Sequence, residues 1–363
     1  IQSNFRISAV LPTIKYCFSQ GASIVLMSHL GRPNGIPNPE FSLKPIQNEL
    51  EILLNREVFF SDDCISDESI AQSMDLFDGE IHLLENLRFY KGEESNDSQF
   101  AAKLSQHGEI FINDAFGTSH RKHASNIGIL QFYDDFGYGF LCEKEMRFLN
   151  KKLENPDRPY SVILGGAKVK GKIELIQNLI SKADNILIGG AMANPFLKVK
   201  GLPIGAALVE KQSIATAESL LTLAEESNAN IILPLDLIAV KTLKGKTPVN
   251  VKTVEEINAN EFGVDIGPET CALFSSILQE SKTVFWNGPV GIAEIPDYSI
   301  GTQALAATLK GLTEDGATTI IGGGDTASVI NASGLDENFS HISTGGGASI
   351  HLLSGKKLPA FSA

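Results

Sequence analysis

Cysteine is scarce and scattered in this chain. The four in 363 residues, Cys17, Cys64, Cys142 and Cys271, form no CxxC pair and no Cys/His cluster. This argues against a disulfide scaffold or a thiolate metal site and reads as reduced thiols in a cytosolic protein. No apolar run approaches the ~18 residues needed to cross a bilayer, and no signal-peptide pattern opens the sequence, which starts at Ile1 rather than Met. Positive charge is also in short supply: 30 Lys and Arg against 43 Asp and Glu leave a formal net charge of −13. A nucleic acid or an anionic membrane is therefore disfavoured as a partner of the whole surface, though a local basic pocket can still hold a small anion. Internal repeats and low-complexity tracts are absent too.

What is present is an ordinary globular composition, 43% hydrophobic and 20% charged, in a chain long enough for two domains with separate cores. Short apolar runs alternate with amphipathic stretches. In the first half the runs are Ser23–Met27, Val58–Phe60, Ile81–Leu84 and Glu109–Ile112, with helical patterns at Leu43–Asn55 and Ser98–Gln106. In the second half they are Tyr160–Leu164, Asn185–Ile188, Asn230–Leu233, Thr283–Trp286 and Thr318–Ile321. Continuous rather than alternating apolar runs predict parallel strands buried on both faces, hence an α/β fold. Phe140–Leu153 has helical spacing and is broken by Glu154-Asn-Pro-Asp-Arg-Pro159, the pattern of an inter-domain connector.

Ligands of open parallel sheets lie beyond the carboxyl ends of the strands, so the strand tails carry the functional information. In the first half they read Ser28-His29-Leu-Gly-Arg32-Pro33, Glu85-Asn86-Leu-Arg88 and Asn113-Asp114-Ala-Phe-Gly117-Thr-Ser-His120-Arg121-Lys-His123. A single arginine at a strand end is most simply a solvated charge. Three at equivalent ends, with His29 and His120 beside them, predict an anion site built from forked guanidinium groups.

The second-half tails are glycine-rich instead: Gly165-Gly166, Gly189-Gly190, Gly288-Pro289, Gly322-Gly323-Gly324-Asp325-Thr326 and Gly345-Gly346-Gly347. Glycine between a strand and a helix lets the backbone approach a ligand while free N–H groups face phosphate. Gly166–Lys172 matches GxxxxGK, but Ile173 stands where a P-loop needs a hydroxyl for Mg²⁺. The lysines survive that objection: Lys168 and Lys172, four apart at a helix start, are placed to meet phosphate. Gly322–Ala327 resembles a dinucleotide fingerprint, yet the acid expected ~20 residues further on is missing. Asp325 beside a pyrophosphate needs an intervening cation, which favours a Mg²⁺–nucleotide over NAD.

In order, SHLGRP (28–33), LLENLRF (83–89), INDAFGTSHR (112–121), LGGAKVKGKI (164–173), GGAMA (189–193), FWNGPVG (285–291), IIGGGDT (320–326) and STGGGAS (343–349) make the chain resemble the phosphoglycerate kinases over nearly its whole length. The resemblance implies two doubly wound, Rossmann-like parallel-sheet domains joined by a connecting helix. It implies 3-phosphoglycerate or 1,3-bisphosphoglycerate on the first domain, Mg²⁺ with ADP or ATP on the second, and a cleft that closes between them. It assigns the substrate to Arg6, His29, Arg32, Arg88 and Arg121, with Arg6 also facing the transferred group. It assigns the nucleotide to Gly166, Lys168, Lys172, Gly189, Asn287, Pro289, Glu294, Gly322, Gly323, Gly324, Asp325 and Thr326, with Asp325 as the Mg²⁺ partner. Arg6, Lys168 and the N–H groups at Gly323 and Gly346 would share the transition-state charge.

The expected boundaries are 1–138 for the substrate domain, 139–156 for the connector, 157–350 for the nucleotide domain, and 351–363 for a tail returning to the first domain. A soluble, cytoplasmic monomer is expected, without nucleic-acid or membrane partners. Three departures stand out. The family's first strand, which supplies an Asp and an Asn to the substrate, is absent from these residues; the first sheet is expected to lack a strand, and a chain of these residues alone to be destabilised and poorly active. Pro195 is expected to alter a helix start, and Ala293 changes the residue before Glu294. The rival readings are an NAD-dependent dehydrogenase, disfavoured by the missing acid, and a non-catalytic binding protein, which only an activity assay separates.

Overall fold

Short aliphatic runs bounded by glycine and polar tails become the strands, and the amphipathic stretches between them become helices. A computed structural model of the chain describes residues 4–166, 172–243 and 248–362. It divides into two compact units, Ile1–Met146 with Lys357–Ala363, and Arg147–Lys356.

In the first unit the strands are β1 (Ile24–Leu26), β2 (Phe59–Ser61), β3 (Ile81–Leu84), β4 (Phe111–Asn113) and β5 (Phe136–Tyr138). All pair in parallel, but in two sheets: β1-β3-β2, and β4 with β5. The central strand β3 is buried at every position, as its unbroken Ile-His-Leu-Leu run demands. Leu84, Phe100, Leu104 and Ile129 contribute to one core cluster, and Leu43, Leu50, Val58 and Leu83 to another. The helix Lys44–Leu54 stops where Asn55 turns left-handed at φ 51°, a conformation asparagine tolerates. The helix Ser98–Leu104 starts where the Asp97 carboxylate accepts from Phe100 N at 2.8 Å. Beneath β3, Ser73 Oγ lies 2.7 Å from Nδ1 of both His82 and His107.

In the second unit the strands are β6 (Tyr160–Leu164), β7 (Asn185–Ile188), β8 (Asn230–Ile232), β9 (Asp236–Val240), β10 (Asn250–Thr253), β11 (Phe262–Ile266), β12 (Thr283–Asn287), β13 (Thr318–Gly322) and β14 (His341–Ile342). Six form one all-parallel sheet in the order β14-β13-β12-β6-β7-β8. The order doubles back at β6, so β6 and β12 are the central neighbours, the position where doubly wound sheets open a ligand crevice. The other three make an antiparallel sheet, β10-β9-β11, which the reading of parallel strands did not include.

Register decides where the strand tails lie. Asn287 pairs with Leu164 on one side and Gly322 on the other, and Leu164 pairs with Ile188. The next residues, Gly165, Gly189, Gly288 and Gly323, therefore emerge side by side at one sheet edge.

The stretch read as a single connecting helix is α-helical over Phe140–Met146 and π-helical over Arg147–Lys152, with the unit division at the junction. Pro195 occupies the second position of the helix Asn194–Val199. A first-turn N–H has no intrahelical partner to lose, so proline fits there without breaking the helix.

Candidate active site

In the first unit the expected anion cluster assembles, although β4 belongs to a different sheet from β1 and β3. Arg88 is buried at 4% exposure, with Nη1 donating to Gly31 O at 2.7 Å and Nε 3.5 Å from the Glu94 carboxylate. Its pKa is lowered by burial and by the neighbouring Arg121 and Arg32 charges, against the opposing pull of Glu94 and Glu93. His29 feels the same field. Burial, then Arg88, with Arg121 and His123 adding, pushes it down to about 4, so its imidazole is neutral at physiological pH. Arg32 is exposed and Arg121 half-buried, with Arg121 Nε 3.3 Å from His120 Nε2. The three guanidinium groups carry more positive charge than their two acidic neighbours, Glu93 and Glu94, balance, and an incoming anion would relieve this.

Arg6 is exposed on the first turn of the helix Phe5–Ser19, and no hydrogen bond or ion pair among the described residues ties it to this cluster.

Sequence reasoning missed the residue that brings Arg121 across. Glu93, 3% exposed, accepts from Ser125 Oγ at 2.6 Å and Ser125 N at 3.0 Å and lies 3.5 Å from His123 Nδ1; its own carbonyl accepts from Ala124 N. Despite burial, these hydrogen bonds hold its carboxyl below the ordinary range. The loop 120–126 is thereby pinned to the segment that follows Arg88. The one signal was Glu93-Glu94 directly after that strand tail.

In the second unit the strand ends interlock through backbone. Gly166 N donates to Pro289 O at 2.8 Å, Gly165 N to Asn287 O at 3.0 Å and Gly189 N to Leu164 O at 2.9 Å. A Cβ on Gly165 would stand 2.1 Å from Pro289 O, and one on Gly189 would stand 2.7 Å from Val290 Cγ1. Glycine at these two positions is thus dictated by close approach of backbone and side chain. Thr326, fully buried, accepts from Gly288 N at 2.9 Å, which anchors the turn after β12 to the helix Gly324–Ala332.

The side chains converge on the same edge. Lys172 Nζ donates to Gly165 O at 2.9 Å and Asn287 O at 3.1 Å. Burial lowers its pKa to about 8, with the Asp325 charge pulling the other way. Asn287 is 2% exposed, and its Nδ2 has no hydrogen-bond partner among the described residues. That amide lies 3.2 Å from where a Cβ of Gly322 or of Gly323 would be. A buried, unmet donor facing a glycine turn is costly unless a ligand acceptor satisfies it.

Gly323, at φ 90°, leads into the helix Gly324–Ala332, and Gly346 opens the helix Gly346–Leu353. Around Gly324 and Gly346 a Cβ would meet nothing within 4 Å. Asp325 is exposed in the first turn of its helix. Glu294 is exposed on the turn between β12 and the helix Ile300–Glu314. Lys168 lies outside the described residues.

Among the described residues no cluster of three or more His, Cys, Asp or Glu could hold a metal by itself. A lone exposed carboxylate at a helix start suits Mg²⁺ that arrives with phosphate oxygens and keeps several waters, so Asp325 fits such an ion.

An arginine cluster in one α/β unit, and glycine-lined strand ends with a lysine in the other, are the features of a phosphotransferase of the doubly wound class. The family model described as phosphoglycerate kinase matches residues 1–356, and the chain belongs to that family. It is 46% identical over 363 residues to the phosphoglycerate kinase of Chlorobium luteolum, covering 100% of this chain and 91% of the relative. The relative from Chlorobaculum tepidum is 45% identical over 358 residues, 99% of this chain and 90% of the relative. Among solved structures, phosphoglycerate kinase from Coxiella burnetii superposes with a TM-score of 0.86 at 36% identity, covering 99% of this chain and 90% of that one. The enzyme from Pyrococcus horikoshii gives 0.87 at 30% identity with the same coverage. Members of this family are glycolytic kinases that act on small-molecule substrates and a nucleotide.

Proposed function

We propose that this chain catalyses reversible phosphoryl transfer between 1,3-bisphosphoglycerate and ADP, with the substrate on the first unit and the nucleotide on the second. In the forward direction a β-phosphate oxygen of ADP attacks the acyl phosphate. The bond to the carboxyl oxygen breaks, and 3-phosphoglycerate leaves as a carboxylate. No general base is needed, because the acceptor is already an anion.

Arg32, Arg88 and Arg121 hold the phosphoglycerate anion, with neutral His29 as a hydrogen-bonding partner; Arg6 joins them on the transferred group. Lys172, the Asn287 amide and the N–H groups at Gly323, Gly324 and Gly346 receive the nucleotide phosphates, and Lys168 is assigned to neutralising the transferred group. Gly166, Gly189, Gly322, Pro289, Glu294 and Thr326 shape the turns around the nucleotide. Asp325 holds Mg²⁺, which supplies charge neutralisation at the phosphate oxygens when bound. Catalysis on this reading is positioning plus neutralisation of the equatorial oxygens. The protein is read as a cytoplasmic monomer.

The observation that carries the nucleotide half is the unmet Asn287 donor among the glycine turns of four paired strands. The test is a coupled assay of ATP formation from 1,3-bisphosphoglycerate and ADP, beside melting curves with Mg-ADP and with NAD. Turnover and protection by Mg-ADP alone are expected. A chain that binds both ligands without turnover supports the non-catalytic reading, and protection by NAD supports the dehydrogenase.

A further inference from the structure

Asp265, the fourth residue of β11, is buried at 2% exposure. Its Oδ2 accepts from Gly301 N at 2.7 Å and its Oδ1 from Ile266 N at 2.9 Å. Gly301 lies in the first turn of the helix Ile300–Glu314, so the carboxylate binds that helix start to the strand.

A third segment meets the same oxygens. A Cβ on Gly291 would stand 2.3 Å from Asp265 Oδ1, and one on Gly301 would stand 2.7 Å from it. Backbone on either side reinforces the junction: Ile292 N donates to Val264 O at 3.0 Å, and Val290 N to Thr302 Oγ1 at 3.1 Å. Both glycines thus leave room for the carboxylate and for its neighbours, Tyr298 O at 2.2 Å from the Gly291 position and Ile266 Cγ1 at 2.4 Å from the Gly301 position. The carboxylate occupies the corner where the turn after β12 meets β11 and the helix.

That turn is the one whose Pro289 carbonyl locks Gly166 and whose Val290 packs on Gly189. It also carries Glu294. From this geometry we infer that Asp265 is a positioning residue for the nucleotide, holding the 288–299 turn in place against the strand-end glycines. The inference rests on the nucleotide reading of that edge. A carboxylate is an expensive choice for packing alone: burial pushes Asp265 up to about 7, so the corner keeps a group that resists ionisation there. An apolar residue could fill the space, but could not hold two backbone donors in a fixed geometry.

The test uses Asp265→Asn, which preserves volume but offers one acceptor in place of two, and Gly291→Ala, whose methyl presses on both the carboxylate and the Tyr298 carbonyl of the turn. The full chain is assayed in both directions, with Mg-ADP and 1,3-bisphosphoglycerate for the ADP KM and with Mg-ATP and 3-phosphoglycerate for the other. Trp286, the only tryptophan, reports on the turn because its Nε1 donates to Gly288 O at 2.8 Å. In each variant KM for ADP is expected to rise about tenfold, the equivalent of one net hydrogen bond. KM for 3-phosphoglycerate should stay unchanged, and Trp286 emission should shift in the ligand-free protein.

An unchanged KM for ADP in folded Asp265→Asn overturns the inference, as does an equal rise of both KM values. If that variant does not fold, Gly291→Ala decides on the same criteria. Asn287→Ala separates this inference from the reading beneath it. Should it leave ADP binding intact, the nucleotide site itself is misplaced; should it weaken ADP binding while the other two do not, Asp265 alone is wrong.

Discussion

Gly324 and Gly346 open the two helices that follow β13 and β14. Neither has a positive φ, and a methyl at either would meet no protein atom within 4 Å. Nothing in the protein itself therefore requires glycine there. Replacing each with alanine should leave the fold intact or stabilise it by about 0.4–1 kcal/mol, by narrowing the unfolded ensemble. If the glycines exist so that phosphate can reach the helix N–H groups, the same methyl should intrude on the ligand. An overpacked contact costs about 1–3 kcal/mol, which is about fivefold to a hundredfold in Kd for Mg-ADP.

Gly165→Ala is the opposite control. Its Cβ would stand 2.1 Å from Pro289 O and 2.5 Å from Gly288 O, both backbone atoms that cannot swing away, so stability should fall before binding is considered. Urea unfolding followed by the single tryptophan, with calorimetric titration of Mg-ADP, measures both quantities. Alanine at 324 and 346 with unchanged Mg-ADP affinity would refute the claim that these helix starts approach phosphate. Loss of stability in those variants would refute the backbone argument instead.

Lys172, held near pKa 8 by burial, must be an ammonium to meet phosphate. Mg-ADP affinity should therefore weaken as pH rises through about 8, and binding there should take up a proton, seen as a buffer-dependent enthalpy. Glu93→Ala removes the carboxylate that pins Ser125 and His123. The stripped, buried donors should cost about 1–3 kcal/mol of stability, and KM for 3-phosphoglycerate should rise while that for ADP stays, as steady-state kinetics would reveal. His82 is lowered to about 4 and His107 is also lowered, both mainly by burial. A histidine depressed in the folded state binds fewer protons than its unfolded counterpart, so stability present near neutrality is lost as pH falls below the ordinary 6.5 towards about 4. Melting temperatures across that range should fall, and less steeply in His82→Gln than in the parent.

The strand runs were legible because parallel strands buried on both faces must be continuously apolar. Tyr160–Leu164 and Asn185–Ile188 match the observed β6 and β7 end for end, and the fold puts the tails where that pattern expects them. Strands outside this rule were not read. The two-residue β14 is too short to carry a pattern, and β10, Asn-Val-Lys-Thr, has two exposed and two half-buried positions at a sheet edge. The arginine tails were readable as residue types. Their convergence through Glu93 was not, because a buried acid in a Lys-Gly-Glu-Glu-Ser segment is indistinguishable by sequence from a solvated one. Asp265 was hidden similarly: its meaning depends on Gly291 and Gly301, some 26 and 36 residues away in the chain, and tertiary contact alone links them.

On the proposed function the two units would meet anions by different chemistry, and the cost of burying charge explains why. The first unit concentrates formal charge: Arg88 is buried beside Arg121 and Arg32, and its pKa is depressed first by that burial and then by the repulsion of those neighbours. Glu93 and Glu94 offset part of it, leaving an excess that a compact anion would offset. The second unit presents mostly backbone dipoles, which carry no net charge and need no counter-ion when the ligand leaves. Its half-buried cation, Lys172, rests on the carbonyls of Gly165 and Asn287. On that reading the nucleotide brings Mg²⁺ and is already partly neutralised, so it needs less fixed charge from the protein. A small multiply charged acid arrives without a metal, and guanidinium forks match its oxygens directly. On that reading, arginine in one unit and glycine in the other follow from the charge each ligand carries on arrival.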